Sequence, residues 1–296
     1  MTYITSWDDF SKAAEKLYLS DPMKATTKDM WQLLVIVAIL RASNGAVIWR
    51  QESWDPDLIF GLEWNMVTFN WGFENLQIVR NPTGTSNELE VLFPLLSCVC
   101  DRDNRGGAQQ YSQPFSPGNE RALSYDLRFS DNFDFVRGGK LPGLYGGDQS
   151  SCSGGGATSH CFSTRYMWRR DGDGEIYLYS GADQASDFCD RPGNHCNYDF
   201  GHSVGRGSFR FNRGRWYNLK QYVRLNTVGL NDGVLRVWLD DVLVIDYNDV
   251  GFRTSEFNID TIFFSTFFGG GNMDWASTDD VQIYFRNFEV HDSQPV

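Results

Sequence analysis

Phe162-Ser-Thr-Arg-Tyr-Met-Trp168 and Glu175-Ile-Tyr-Leu-Tyr179 are two short alternating runs separated by the turn-forming residues 169–174. Read with period two, Ser163 and Arg165 share one face of a strand, while Phe162, Thr164, Tyr166 and Trp168 take the other. In the second run Tyr177 and Tyr179 share a face, and Ile176 and Leu178 point the opposite way. Directly opposed residues of an antiparallel pair face the same side. A two-residue turn at Gly172-Asp173 would therefore set Tyr177 against Trp168 and Tyr179 against Tyr166, away from Arg165. Bringing Arg165 and Tyr179 onto one face requires an odd loop, or a bulge, within residues 170–174. With that parity, a polar surface lies over an apolar layer.

The same pattern extends outward. Short alternating runs separated by Gly, Asn and Asp fill the chain after residue 50, where long helical periodicity is scarce. In a chain of 296 residues, 41% apolar and 15% aromatic, this predicts an all-β fold, a two-sheet antiparallel sandwich with one large core. The net charge is −12. Residues 121–179 hold seven basic side chains (Arg121, Arg128, Arg137, Lys140, Arg165, Arg169, Arg170) and seven acidic ones, which predicts a neutral site in an acidic molecule. No basic stripe appears, so nucleic acid is excluded as a partner.

All six cysteines follow residue 90. Their even number favours disulfides, with Cys152–Cys161 and Cys189–Cys196 as the local pairings. Cys98 and Cys100 are harder to place, because so tight a loop is strained. A metal site built from His160, Cys161, His195 and Cys196 is the competing reading; no CxxC spacing supports it, and no metal is expected.

The first residues divide differently. Met30-Trp-Gln-Leu-Leu-Val-Ile-Val-Ala-Ile-Leu40 is too short to span a bilayer comfortably and is followed by small residues up to Ala46, so residues 30–46 read as a signal peptide. Secretion follows, with no membrane association of the mature form. Before it, Trp7, Phe10, Ala14 and Leu17 form one stripe of a short amphipathic helical extension. Phe10-Ser-Lys-Ala-Ala-Glu-Lys-Leu-Tyr18 and Asp21-Pro-Met-Lys24 make residues 3–24 resemble the start of the nine-kilodalton subunit of the signal recognition particle. A piece this size buries no core of its own. Residues 1–29 are accordingly read as a fused fragment or gene-model artefact without RNA-binding function, and residues 47–296 as the functional domain.

That domain resembles polysaccharide lyase family 14, the group of alginate and glucuronan lyases. The resemblance rests on Gly139-Lys-Leu-Pro-Gly-Leu-Tyr145, Ser163-Thr-Arg165, Tyr177-Leu-Tyr179, Phe267-Phe-Gly-Gly-Gly271 and Tyr284-Phe-Arg-Asn-Phe288. It implies a β-jelly roll and a secreted, cofactor-independent enzyme that cuts a β-1,4-linked polyuronate by β-elimination. Lys140, Arg165, Tyr177 and Tyr179 match its catalytic positions, and Ser163 a substrate-binding one. The extra cysteine pairs and the Gly-rich insertion at Ser150–Ser159 depart from the alginate lyases and leave the substrate open between glucuronan and alginate.

The chemistry explains these residue types. A uronan lyase removes the proton at C5, beside a carboxylate whose charge must first be neutralised. Arg165 suits that task as a planar bidentate donor, with Ser163 as a supporting donor. Tyr177 or Tyr179 can move the proton if nearby cations lower a phenol from about 10. Lys140 either supplies that cation or, if desolvated, is itself the base.

Other segments carry weaker signals. Trp216-Tyr-Asn-Leu-Lys-Gln-Tyr-Val-Arg224 places Lys220, Tyr222 and Arg224 on one face as candidate substrate subsites, with a solvated outer face as the alternative. Asp171-Gly-Asp-Gly-Glu175 reads as a hairpin turn rather than a calcium loop. A second hairpin crosses Asp240-Asp241. Phe263, Phe264, Phe267 and Phe268 are assigned to the core, and His160, His195 and His202 to loop roles. No facing carboxylate pair supports hydrolysis. The rival function is a lectin-like module that binds acidic glycans without cleaving them. In either case the partner is an acidic polysaccharide, and the protein is expected to be a monomer.

Overall fold

The structure is a computed structural model that describes residues 45–55, 59–80, 86–149, 151–156 and 159–295. The helical extension, the resemblance over residues 3–24 and nearly all of the signal-like segment lie outside the described residues. The alternating runs of Val47–Pro295 become fifteen strands. They are β1 (Val47–Gln51), β2 (Met66–Trp71), β3 (Leu76–Arg80), β4 (Asn87–Phe93), β5 (Ala108–Ser112), β6 (Glu120–Phe129), β7 (Gly138–Gly147) and β8 (Cys161–Arg169). There follow β9 (Asp173–Ser180), β10 (His202–Arg210), β11 (Trp216–Arg224), β12 (Gly233–Leu239), β13 (Val242–Val250), β14 (Ile259–Phe268) and β15 (Val281–His291).

Two antiparallel sheets form a sandwich of the β-jelly-roll kind. One runs β13-β12-β11-β6-β15-β4-β3, with β1 also paired to β15; the other runs β10-β9-β8-β7-β14-β5-β2. Side chains of one parity from each sheet meet in between. Phe162, Tyr166 and Trp168 of β8, Ile176 and Leu178 of β9, and Phe264 and Phe268 of β14 pack against Tyr125 and Leu127 of β6, Leu219 and Val223 of β11, and Phe285 of β15. Each such side chain contributes about 1.5–3 kcal/mol when removed from water. Two polar groups caught in this layer are paired, Thr164 Oγ1 donating to Gln221 Oε1 at 2.7 Å and Tyr125 Oη to Pro142 O at 2.9 Å, whereas the Tyr166 hydroxyl is buried without a partner.

The hairpin parity predicted from the sequence holds. Trp168 opposes Gly174, Arg165 opposes Tyr177 and Ser163 opposes Tyr179. The turn between β8 and β9 comprises three residues, Arg170–Gly172, an odd number. It is made by left-handed backbone at Asp171 (φ 60°) and Gly172 (φ 83°). Asp240 and Asp241, both left-handed, form the second expected hairpin turn.

One further irregularity matters. Pro142 lies inside β7, a strand paired on both sides, where a residue without an N–H is tolerated only at a bulge. The register shifts there: Lys140 opposes Met167, but Gly143 opposes Arg165. Lys140 consequently shares a face with Met167 and Arg165. Gly143 allows the close approach, since a Cβ on it would lie 2.2 Å from Thr164 O.

The cysteines form three bridges, Cys98–Cys100, Cys152–Cys161 and Cys189–Cys196. The two local pairs are those the spacing suggested. Cys98 and Cys100 pair as well, because a bend brings their Cα atoms to 5.2 Å, within the ordinary disulfide range. With Cys161 and Cys196 bridged, neither offers a thiolate to a metal.

Candidate active site

Parity decides what the outer face of the β10–β2 sheet presents. Arg165 of β8, Tyr177 and Tyr179 of β9, Lys140 of β7 and Phe267 of β14 all line one cleft of about 680 Å³. The cleft crosses the strands from Trp71 and Gln109, on β2 and β5, to Ser203 and Arg206 on β10. Ser153 and Gly154, from the loop between β7 and β8, wall one side; Gly269–Gly271 and Trp275, beyond β14, wall the other.

Arg165 is 2% exposed and stands against Phe263 (4.5 Å to the ring centre) and Tyr179 (5.7 Å). Its Nη1 donates to Ser265 Oγ at 3.2 Å, while Nε is buried without a partner. Among the described residues no carboxylate pairs with it. Burial lowers its pKa, since the charged form loses its hydration. A buried guanidinium with idle donors is costly unless an anion completes it.

Lys140 is 8% exposed, with Nζ 3.6 Å from the centre of the Tyr177 ring and 2.7 Å from Met167 Sδ. Burial first, then the charges of Arg165 and Arg169, holds its ammonium pKa well below the usual value of 10.5; Glu175 opposes them. Burial and neighbouring Tyr179 push the Tyr177 phenol up to about 12, outweighing Arg169. The expectation that cations lower that phenol fails, because loss of hydration outweighs their attraction. Tyr179 Oη accepts a hydrogen bond from Gly155 N–H at 3.1 Å, leaving its own proton free to be given away. The two tyrosine rings meet edge to face at 5.5 Å.

Glu175 was not singled out from the sequence. It opposes Met167 on the same face and is fully buried, accepting from Arg169 Nε (2.8 Å), Arg206 Nε (2.6 Å) and Ser203 Oγ (3.1 Å). Burial raises its pKa, but Arg169 and Arg206 outweigh that and the net shift is downward, so it stays ionised.

Several expectations need correction. Ser163 does not reach the cleft: it is fully buried, and its hydroxyl donates to Cys152 O at 2.8 Å, tying down the β7–β8 loop. Lys220, Tyr222 and Arg224 lie on β11 of the other sheet, facing away from the core. There Lys220 pairs with Asp241, Tyr222 with Glu120 and Arg224 with the Asp232 carbonyl. Alternation correctly put them on one face but could not say which sheet would own it. The four phenylalanines divide by parity: Phe264 and Phe268 enter the core, Phe263 packs beneath Arg165 and Phe267 lines the cleft. His195 lines the cleft too, whereas His202 holds the neighbouring loop by accepting from Asn197 N at 3.0 Å.

The predicted neutrality of the site is also overturned. Arg105, Lys140, Arg165, Arg169 and Arg206 line the cleft, with no acidic side chain among the described lining residues. A count along the chain cannot see that, of the carboxylates in this region, Glu175 is buried beneath Arg169 and Arg206 and none lines the cleft among the described residues.

Residues 81–288 match the sequence model of the family described as polysaccharide lyase 14. The chain belongs to the polysaccharide lyase 14 family. The lyase is 34% identical to the marine alginate lyase of that family from Aplysia kurodai, whose crystal structure superposes with a TM-score of 0.76 over 83% of this chain and 98% of that one. An endo-β-1,4-glucuronan lyase from Trichoderma reesei shares the fold at 10% identity, with a TM-score of 0.57 over 83% of this chain and 95% of that one. Exolysin of Paramecium bursaria Chlorella virus 1 is 28% identical over 187 residues, 55% of this chain but only 28% of its own length. The family match does not extend to residues 3–24, whose resemblance gains no support.

Proposed function

We propose that this lyase cleaves a β-1,4-linked polyuronate, alginate or glucuronan, by β-elimination. The observation that carries this reading is Arg165, a buried guanidinium without a carboxylate partner among the described residues, at the floor of a cationic cleft. A uronate carboxylate supplies the missing anion and, once neutralised, renders the adjacent C5 proton removable.

Lys140 is the base. Burial holds the Lys140 ammonium well below its usual pKa, which favours the free amine whose lone pair takes the C5 proton. As the C5–H bond breaks, a C4–C5 double bond forms and the C4–O4 bond breaks, and Tyr179 gives its proton to O4. Lys140 then returns a proton to the Tyr179 oxygen. In β-linked glucuronate or mannuronate the C5 proton and O4 lie on the same side of the ring, so base and acid on one sheet face suffice. Tyr177 bears on the Lys140 amine through its ring. Ser163 acts at one remove, holding the loop whose Gly155 orients Tyr179.

We further propose that the protein works outside the cell. Three disulfides suit an oxidising compartment, and the segment at residues 30–46 reads as an export signal.

The test is to incubate the full chain with polymannuronate, polyguluronate and glucuronan while following ultraviolet absorbance of the unsaturated product. A gain on one of them is expected. Binding without any gain would refute cleavage and mark a lectin-like module.

A further inference from the structure

The cleft differs at its two ends. Toward β2 it reaches the edge of the sheet at Trp71. Toward β10 the chain folds back over it. His195 exchanges backbone hydrogen bonds with Ser203 (2.9 and 3.0 Å), adding a rung outside β10, and Cys189–Cys196 fixes its neighbour. Asn197 Oδ1 accepts from Asp199 N and Phe200 N (2.9 and 3.0 Å), which turns the segment inward. Gly201 then lies on the two tyrosines: a Cβ there would stand 2.9 Å from both rings, so only glycine fits.

A second loop meets this one from the opposite direction. Gly155, anchored through Cys152–Cys161 and donating to Tyr179 Oη, packs against it; a Cβ on Gly155 would lie 3.3 Å from Asp199 O and 3.4 Å from Phe200 Cε1. Tyr177, Tyr179 and Ser203 form the floor, the Gly155–Phe200 contact the roof, and residues 195–197 the end wall. Sugar rings beyond the reacting one need a free path along the sheet, and on this side two disulfide-anchored loops occupy it.

We propose that the cleft is blind at its β10 end and accepts only a chain terminus, so that the lyase shortens its polymer from an end, releasing small units, rather than cutting within it. This inference rests on the polyuronate lyase reading. The chemistry would be the same as for internal cutting; the Gly155–Phe200 contact and the Cys189–Cys196 bridge determine where on the polymer it occurs.

The test uses the full chain and whichever of high-mass polymannuronate and glucuronan it degrades, comparing product absorbance with the size-exclusion profile of the remaining polymer. Expected is a steady rise in absorbance with small products from the outset, while the polymer peak keeps its position. Phe200→Ala, which removes the roof contact and leaves both bridges intact, should shift the polymer peak to smaller sizes at equal absorbance. The C189S/C196S variant, if it folds, should do so further. A polymer peak that moves early with the unaltered protein overturns the blind end while leaving the lyase reading standing. Unaltered end-cutting by both variants overturns the role given to these loops. No absorbance gain on either polymer sinks both readings.

Discussion

Replacing Glu175 by Gln tests the electrostatics of the cleft most directly. The carboxylate is fully buried and bridges Arg169 and Arg206, whose side chains are 15% and 33% exposed. Removing one member of a buried ion-pair network costs about 3–5 kcal/mol when the remaining charge is stranded. Here both arginines retain some water, and Gln can still accept one hydrogen bond, so a loss of about 2–3 kcal/mol is expected. For a domain of this size that lowers Tm by about 4–6 °C. Because the folded pKa of Glu175 lies below its ordinary 4.5, the stabilisation is fully present above that value and disappears as pH falls through the lowered one. The gap in Tm between the two proteins should therefore narrow below pH 4.5. The same substitution acts on catalysis. Glu175 favours the charged form of Lys140, so its loss lowers the Lys140 pKa further, and the acidic limb of the kcat profile should move to lower pH. Arg206→Met removes a cation and should move the limb the opposite way. Thermal unfolding by circular dichroism and initial rates by absorbance measure both effects. An unchanged Tm, or limbs that move in one direction for both variants, would refute this account.

Three further outcomes are expected. Lys140→Met should abolish turnover yet raise stability by about 1–2 kcal/mol at neutral pH, as functional strain is released; a variant that melts lower than its parent would show that burying Lys140 carries no such cost. Tyr179→Phe should lower kcat by about 10²–10⁴ if it is the acid, and Tyr177→Phe by far less; the reverse order would move the acid to Tyr177. Lys220→Ala, Tyr222→Phe and Arg224→Ala, on the far sheet, should leave KM for the polymer unchanged, and a raised KM would return them to substrate binding.

The sandwich was legible because apolar alternation is set residue by residue, and the odd turn because face-sharing in a hairpin follows from counting alone. The grouping of Arg165 with the tyrosines followed from both. What escaped depended on distant pairing. Lys220, Tyr222 and Arg224 alternate as well as any site strand, but sheet membership is decided by partners far away in the sequence. Glu175 sits in a run read for its tyrosines, and its partner Arg206 lies on β10. Arg105 comes from a loop that carries no periodicity. Phe267 was within reach, since strict alternation through Phe263–Phe268 already separates two faces.

Each disulfide joins residues two, nine or seven positions apart, and none links one sheet to the other. Closures this short restrict the unfolded chain by at most about 2–3 kcal/mol each, and no bridge ties the two sheets together. The covalent bonds instead shape the rim: Val99, Ser153 and Cys196, at or beside the three bridges, all border the cleft. Folding and oxidation are therefore expected to be separable steps of maturation. Chain made in a reducing host should be soluble and well folded yet poorly active, and gain activity on air oxidation without unfolding, which recommends oxidation after purification as the practical route to active enzyme.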